Sequence, residues 1–365
     1  MFKLHRPLVG AKAPHYVFIM LIAFGLSVAG TRVYLEATGY PQIGDDTFHF
    51  AHALWGGLLL FVAVLLLLIY VNRWMVDLSA VLAGAGVGLF IDEVGKFITQ
   101  ANDYFFPLAA PIIYVTFLLT LLVYLIVKRR PHISLRGNMY QVLSELEEVL
   151  EDDLSVSEHA ALVARLQPIT CQTERPDLAA LAVHITEFLQ SDAVKTVPDR
   201  PAAFNRLLNA LRQVEDRFFS QTRTRRILLA VYVVSAFSTL LLLFVLINVV
   251  TGTNGELTDM LESILLTQSY VSGPTSLKFY LLMTILSLLT DLLTFAGTVA
   301  FVLKRDSIAI TMGTVALVIT LTFTNTLSFY FGQFSILLSS IYSFGALLAL
   351  LRYRDRFLQP DESIL

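Results

Sequence analysis

The chain is poor in charged residues. Only 15% of its 365 residues are Asp, Glu, Lys or Arg, whereas soluble domains carry about 25%. Hydrophobic residues make up 56% of the sequence, and the mean hydropathy is +0.68. This composition excludes an ordinary soluble enzyme and predicts an all-α integral membrane protein with several spans.

The chain also has little cysteine and no excess of basic residues. Cys171 is the single cysteine, which excludes an intramolecular disulfide and a thiolate metal cluster. The net charge is −3, and no region carries an uncompensated basic face, so nucleic acid is not an expected partner. The expected partners are the lipid bilayer, a small ion or solute, and a cytoplasmic protein.

Long apolar runs dominate what is present. Eight segments have the length of about 20 residues that is needed to cross a hydrocarbon core of about 30 Å. The predicted spans are 16–35, 50–71, 76–99, 107–127, 226–250, 276–303, 308–329 and 334–353. We interpret the first span as an uncleaved anchor helix rather than a signal peptide, because the basic segment before it is long.

The distribution of basic residues predicts the orientation. In an eight-span arrangement, clusters such as Lys128-Arg129-Arg130 and Lys304-Arg305 all fall on one side of the membrane. Loops on the cytoplasmic side of membrane proteins carry an excess of Lys and Arg. Both termini are therefore expected in the cytoplasm, with the protein in the plasma (inner) membrane.

Four regions follow from this pattern: a membrane half over 1–129, a cytoplasmic helical domain over 130–225, a second membrane half over 226–357 and a tail over 358–365. Each half has four predicted spans and a short basic turn after its second span. Aligning those turns places Asp77 over Asp306. The even span count then predicts two parallel four-helix repeats, related by an axis along the membrane normal.

The third predicted span ends in charged residues. At 1.5 Å per residue, Glu93 lies roughly 24 Å into the core, and Arg32 reaches a similar depth on the first span. Polar groups from three helices are thus expected in one outer layer, where they predict an outward-facing pocket. Its members are Arg32, Asp45, Asp46, His49, His52, Asp92, Glu93 and Lys96.

This polar layer has three interpretations. It is the mouth of a translocation path, or it is a set of intrahelical pairs, Asp92–Lys96 and Arg32–Glu36, that only fix helix tilt. The third is a metal site for an enzyme at the outer leaflet. Imidazole and carboxylate suit a divalent transition metal such as Zn²⁺, Mn²⁺ or Fe. The candidate ligands are His49, His52, Glu93 and Asp103.

Asp291 is the other residue of interest. It lies midway between Lys278 and Lys304 in a long apolar run, which places it near the middle of the bilayer. A charged residue there costs roughly 2.5–3.5 kcal/mol on insertion scales, so it is expected to face the bundle interior or water. We interpret it either as a proton or cation relay, or as a neutral acid hydrogen-bonded to Thr290, Thr294 or a neighbouring helix.

The block GAGVGLFIDEVGKFITQANDYFF resembles a block in a group of prokaryotic polytopic membrane proteins. The resemblance covers roughly residues 45–114. It implies a multi-pass membrane fold and no particular activity. Three function classes remain: translocation of a small ion or solute, an assembly or sensory role exercised through the cytoplasmic domain, and metal-dependent catalysis. The sequence leaves open whether the protein is an enzyme.

Overall fold

The computed structural model describes residues 8–10, 12–39, 51–100, 103–104, 106–129, 134–173, 175–198, 220–234, 237 and 274–358. Within these ranges the chain forms helices and turns, and its only β-type pairing is one bridge between Ser155 and Val197. Six helical stretches are long and apolar enough to cross a membrane: Ala13–Thr38, His52–Ile69, Arg73–Asp92, Ala109–Lys128, Ser276–Val302 and Asp306–Phe357. The prediction of an all-helical chain with several candidate membrane spans is confirmed for the described residues, whereas the number of eight spans stays a prediction.

The first half contains five helices. They are α1 (Ala13–Thr38), α2 (His52–Ile69), α3 (Arg73–Asp92), the short α4 (Val94–Ile98) and α5 (Ala109–Lys128). The predicted third span, 76–99, is not one continuous helix. The backbone leaves helical geometry at Glu93, with φ −92° and ψ 10°, so the polar end of this segment is also where its helix is interrupted.

Nine further helices follow in the described residues after position 130. They are α6 (Leu135–Glu145), α7 (Glu147–Leu150), α8 (Val156–Gln172), α9 (Pro176–Leu189), α10 (221–234), α11 (Pro274–Val302), α12 (Asp306–Ile319), α13 (Asn325–Gly332) and α14 (Leu337–Phe357). A π-helical turn over Thr320–Thr324 joins α12 to α13, and a 3₁₀ turn over Gln333–Ile336 precedes α14.

The stretch Asp306–Phe357 folds back on itself. The hydroxyl of Tyr353 donates to Asp306 over 2.9 Å, and the Asn325 amide donates to the Ser340 hydroxyl over 3.0 Å. Both bonds join the two arms of an antiparallel hairpin. The chain reverses at Gln333, whose φ is +44°. One apolar stretch therefore supplies two helical arms.

The described chain separates into two compact units. The smaller comprises residues 1–21 and 120–213, and α6–α9 give it a core of its own that includes Val142, Leu162 and Ile169. Local signals explain its helices: Ser155 and Glu158 form a reciprocal cap at the start of α8, and a proline begins α9.

The larger unit comprises residues 22–119 and 214–365. Its closest helix contact is between α2 and α3, where a Cβ on Gly56 would lie only 2.7 Å from the Gly86 carbonyl oxygen. Glycine is required there because the two backbones touch. A Cβ on the neighbouring Gly57 would meet nothing within 4 Å. The α2–α3 contact fixes the elements that carry the candidate site.

Candidate functional site

Asp92, the last residue of α3, is the centre of a buried polar cluster. Its side chain is completely buried. Arg32 of α1 donates through Nε to Oδ1 over 2.7 Å and through Nη2 to the Asp92 carbonyl over 3.1 Å. Tyr104 donates its hydroxyl to Oδ2 over 2.7 Å, and His52 Nε2 lies 3.1 Å from the same oxygen.

Glu93 is also completely buried and has its own donors. The backbone N–H of Ala53, in the first turn of α2, donates to Oε2 over 3.0 Å. The ammonium of Lys96 donates to Oε1 over 2.7 Å. Glu93 lies at the break between α3 and α4, so its carboxylate reaches the first turn of α2. The N–H groups of a first turn have no acceptor within their own helix, and a negative charge is favoured there.

His52 connects the two carboxylates. Its Nε2 faces Asp92, and its Nδ1 lies 3.4 Å from Glu93 Oε1. A protonated imidazole carries a donor at each nitrogen and can serve both acids at once. A neutral imidazole carries one donor and can serve only one of them.

The Arg32 guanidinium is enclosed on both faces. Its central carbon lies 4.2 Å from the centroid of the Tyr104 ring and 4.0 Å from that of Phe334. Stacking of this kind suits the planar guanidinium, which is weakly hydrated. Phe334 comes from the turn that precedes α14, so Arg32 links α1 to this turn within the larger unit.

Small residues let α1 approach this cluster. A Cβ on Gly88 would lie 2.8 Å from the Cβ of Ser27. The Ser27 hydroxyl donates to the Ala85 carbonyl over 3.0 Å. This contact holds α1 against α3 one to two turns from Arg32, so the short Arg32–Asp92 distance follows from helix packing.

The electrostatics of the cluster are balanced. Two carboxylates face the cations Arg32 and Lys96, so the formal charge is zero when His52 is neutral. Burial, and after it the negative charge of Asp92, raise the pKa of Tyr104 well above its ordinary value. The phenol therefore stays protonated and remains a donor to Asp92.

The geometry limits what this cluster can bind. Both oxygens of each carboxylate already accept a hydrogen bond from the protein. Both carboxylates are also completely buried, so a cation that reached Asp92 or Glu93 would compete with these donors. As built, the cluster is a clasp between α1, α2, the α3–α4 break and Phe334.

The pairing differs from the intrahelical scheme. Lys96 contacts Glu93 rather than Asp92, and Arg32 contacts Asp92 across 60 positions of sequence rather than Glu36 on its own helix. The intrahelical interpretation is wrong in both pairs. The reason is geometric: α3 ends at Asp92, so the regular four-residue spacing to Lys96 is lost at the break.

The structure brings five of the sequence-predicted residues together: Arg32, His52, Asp92, Glu93 and Lys96. Asp45, Asp46 and His49 lie outside the described residues. Asp103 follows α4, and its backbone N–H donates to the Thr99 hydroxyl over 2.8 Å. Among the described residues, no group of three His, Cys, Asp or Glu side chains is arranged to hold a metal ion.

Two residues of the cluster were not foreseen. Tyr104 lies in the quoted block but was given no role, and Phe334 is distant in sequence. Tyr104 could have been suspected because a tyrosine beside buried charges can supply both a donor and a ring face. Nothing in the sequence marks Phe334, since its contact with Arg32 depends on the reversal at Gln333.

Asp291 lies apart from this cluster, in α11. Its side chain is half-buried, and no hydrogen bond or ion pair joins it to any residue that the structure describes. The nearby threonines bond elsewhere: Thr290 donates to the Ser287 carbonyl, and Thr294 donates to the Thr290 carbonyl. Among the described residues Asp291 is thus not hydrogen-bonded to these threonines, and a hydrogen bond to a neighbouring helix stays a prediction.

No protein-family model matches the chain, and neither a curated protein nor a solved structure matches it. The fold and the site define the class of the protein: it is all-helical over the described residues, with several candidate membrane spans and a buried ionic clasp.

Proposed function

We propose that the protein translocates a proton or a small cation across the plasma membrane, with Asp291 as the ion-binding group at mid-membrane. The observation that carries this proposal is the unpartnered Asp291 in the 29-residue apolar helix α11. An acid at this depth costs roughly 2.5–3.5 kcal/mol, and no described contact offsets that cost. The clasp around Asp92 holds the outer ends of the helices together.

We further propose an eight-span architecture with two parallel repeats. The hairpin of α12–α14 would supply two spans, and α10, over 221–234, overlaps the start of the predicted fifth span, 226–250. The shift that places Asp77 on Asp306 also places α5 on all but the first residue of α14. The same shift places Glu93 on Thr322, inside the π-helical turn. Both halves are thus irregular at corresponding positions, and repeats are common in transporters.

Flux through purified protein in liposomes tests the proposal. Under an imposed membrane potential, the wild type is expected to move protons or a small cation, reported by a dye inside the vesicles. Asp291→Asn removes the ionisable group at nearly constant shape and is expected to abolish this flux. Asp291→Glu keeps the carboxylate and is expected to retain part of it.

The matched control is Asp355→Asn, an acid that is exposed in α14. This change should leave the flux as in wild type, and equal protein incorporation should be verified for each variant. Flux that persists in Asp291→Asn, or a wild type no faster than empty liposomes for any ion tested, would refute translocation through Asp291.

The proposed orientation has a test that needs no substitution. Cys171 is exposed and is the single cysteine of the chain, in the α6–α9 region that we place in the cytoplasm. A membrane-impermeant maleimide should not label intact cells and should label permeabilised ones. Labelling of intact cells would place this region, and with it both termini, outside.

A second candidate function is an assembly or sensory role of the smaller unit. The observation that favours it is a row of exposed apolar side chains, Tyr140, Leu143 and Leu150, along α6 and α7. A photo-crosslinker at position 140 should capture a cytoplasmic protein, while one at the exposed His184 on α9 should not. Wild-type function in Tyr140→Ser/Leu143→Ser would refute this role.

A metal-dependent enzyme is the third candidate, and it depends on His49 joining His52 and Glu93. Elemental analysis of the purified wild type, beside His49→Ala and Glu93→Ala, tests it. About one transition metal per chain that both substitutions remove would establish the site. Protein without bound metal would refute it in this form.

A further inference from the structure

A cleft between α10 and α14 lies at the end of the larger unit where basic residues converge. It has a volume of about 250 Å³. Its wall is mostly apolar and includes Ile227, Leu228, Ala349 and Phe357. Pockets for drug-sized ligands are larger, at roughly 300–1,000 Å³, so this cleft suits a slender apolar chain better than a ring compound.

Two arginines stand at this cleft, Arg352 and Arg356. They are four residues apart on α14, so they project from the same face of the helix. No acidic residue lines the cleft in the part of the chain that the structure describes. The site therefore pairs an apolar wall with two neighbouring positive charges.

The surrounding charges strengthen this field. Tyr353 and Arg225 both contact Asp306, at 2.9 Å each, which brings the ends of α10, α12 and α14 together. The other acid of these ends, Asp355, contacts Arg354 at 3.2 Å. Within the described residues of these ends, eight basic residues stand beside these two acids: Arg223, Arg225, Arg226, Lys304, Arg305, Arg352, Arg354 and Arg356.

We infer that this cleft binds one anionic phospholipid. One acyl chain lies along the apolar wall, and the phosphodiester headgroup contacts Arg352 and Arg356. Basic pockets between membrane-spanning helices commonly select acidic headgroups, and arginine can hold a phosphate oxygen with two donors. If the orientation proposed above holds, this lipid comes from the cytoplasmic leaflet; the leaflet is the one part of the inference that rests on that orientation. The binding itself does not depend on translocation.

Lipid binding to the purified full-length protein tests this inference. Native mass spectrometry from neutral detergent micelles, titrated with phosphatidylglycerol or phosphatidylcholine, gives the affinity for each lipid. The wild type is expected to prefer phosphatidylglycerol. Each arginine near a membrane surface contributes about a fivefold factor to such binding, so Arg352→Gln/Arg356→Gln should lose about 25-fold and with it the preference.

The matched control is Arg354→Gln. This arginine lies between the other two in sequence, contacts Asp355 and does not line the cleft, so its loss should leave the preference nearly unchanged. Ala349→Trp fills the cleft without changing any charge and should also lower the phosphatidylglycerol affinity. Unchanged elution volume and helix content identify variants that remain folded.

The outcomes separate clearly. An unchanged preference in Arg352→Gln/Arg356→Gln would overturn the inference, as would an equal loss in Arg354→Gln, which would indicate general surface charge. Soluble glycerol phosphate lacks the chain and should not displace the lipid. If it does, the cleft is not a lipid site.

Discussion

Asp92 and Asp291 are both acids within apolar helices, and their surroundings differ completely. Asp92 is fully buried, and three neighbouring side chains, Arg32, His52 and Tyr104, contact its two oxygens. Asp291 is half-buried and has no partner among the described residues. A buried charge that is completely satisfied fixes a structure, whereas an unsatisfied one carries a cost that function can explain.

The difference also concerns what each acid could bind. At Asp92 an incoming cation would have to compete with a guanidinium at 2.7 Å. At Asp291 no described donor occupies the carboxylate. We therefore propose a structural role for Asp92 and an ion-binding role for Asp291.

The largest expected effect is that of Asp92→Asn on stability. This change leaves the Arg32 charge buried without its counter-charge, a situation that costs about 3–5 kcal/mol. Unfolding in mixed micelles measures the loss. Glu36→Gln is the control, because Glu36 is exposed on the same helix as Arg32, and it should change stability by at most about 0.5 kcal/mol. Similar values for both variants would contradict the clasp.

Gly56→Ala is expected to have the next largest effect. Its new methyl group would meet backbone atoms of Gly86 and Phe90 at 2.7 Å. Separating α2 from α3 should cost about 1–3 kcal/mol and move the Ala53 N–H away from Glu93. Gly57→Ala meets nothing within 4 Å and should be neutral or stabilising by up to about 1 kcal/mol. A reversed order would refute the observed helix contact.

Tyr104→Phe should cost about 1 kcal/mol, because it removes one donor from Asp92. Its effect should depend on pH. The folded-state pKa of Tyr104 is raised, so its contribution is complete below the ordinary tyrosine pKa of about 10. That contribution is lost as the pH rises toward the folded-state pKa.

Unfolding measured at about pH 8 and about pH 11, on either side of the ordinary tyrosine pKa, checks this sign. The wild type should lose its advantage over Tyr104→Phe at the higher pH. Tyr70→Phe, at an exposed tyrosine, controls for general alkaline effects. A constant difference between wild type and Tyr104→Phe would contradict the assigned cause.

Asp291→Asn should cause no loss of stability, because no described contact is lost and a neutral amide removes the cost of a charge at this depth. Its effect on flux is expected to be complete, so the two measurements separate structure from function. Destabilisation comparable to that of Asp92→Asn would show that Asp291 is held by partners and would remove the contrast between the two acids.

Much of the fold was predictable from the sequence. Helices α1, α2, α5 and α11 lie within a few residues of the spans predicted for them. The predictions were least complete at the polar ends of the third and seventh spans, where the structure has a break at Glu93 and a π-helical turn at Thr320–Thr324. Hydropathy measures burial in lipid and contains no information about such irregularities.

The candidate site was predictable in part. Depth counting placed Arg32 and Glu93 in the same layer, and the structure brings both into one cluster. The partner of Arg32 was not predictable, because Arg32 reaches Asp92 across 60 positions. Lys96 contacts Glu93 three residues before it, a spacing at which neighbours on a helix can pair.

The sequence by itself determined that the chain is helical with several segments apolar enough to span a membrane, because the transfer of apolar segments into lipid is a local property that sums along the chain. Tertiary structure alone decided which charges neutralise each other and which acid has no partner among the described residues. Ion pairing depends on distances of a few ångströms between helices, and these distances are set by contacts such as that of Gly56 with Gly86.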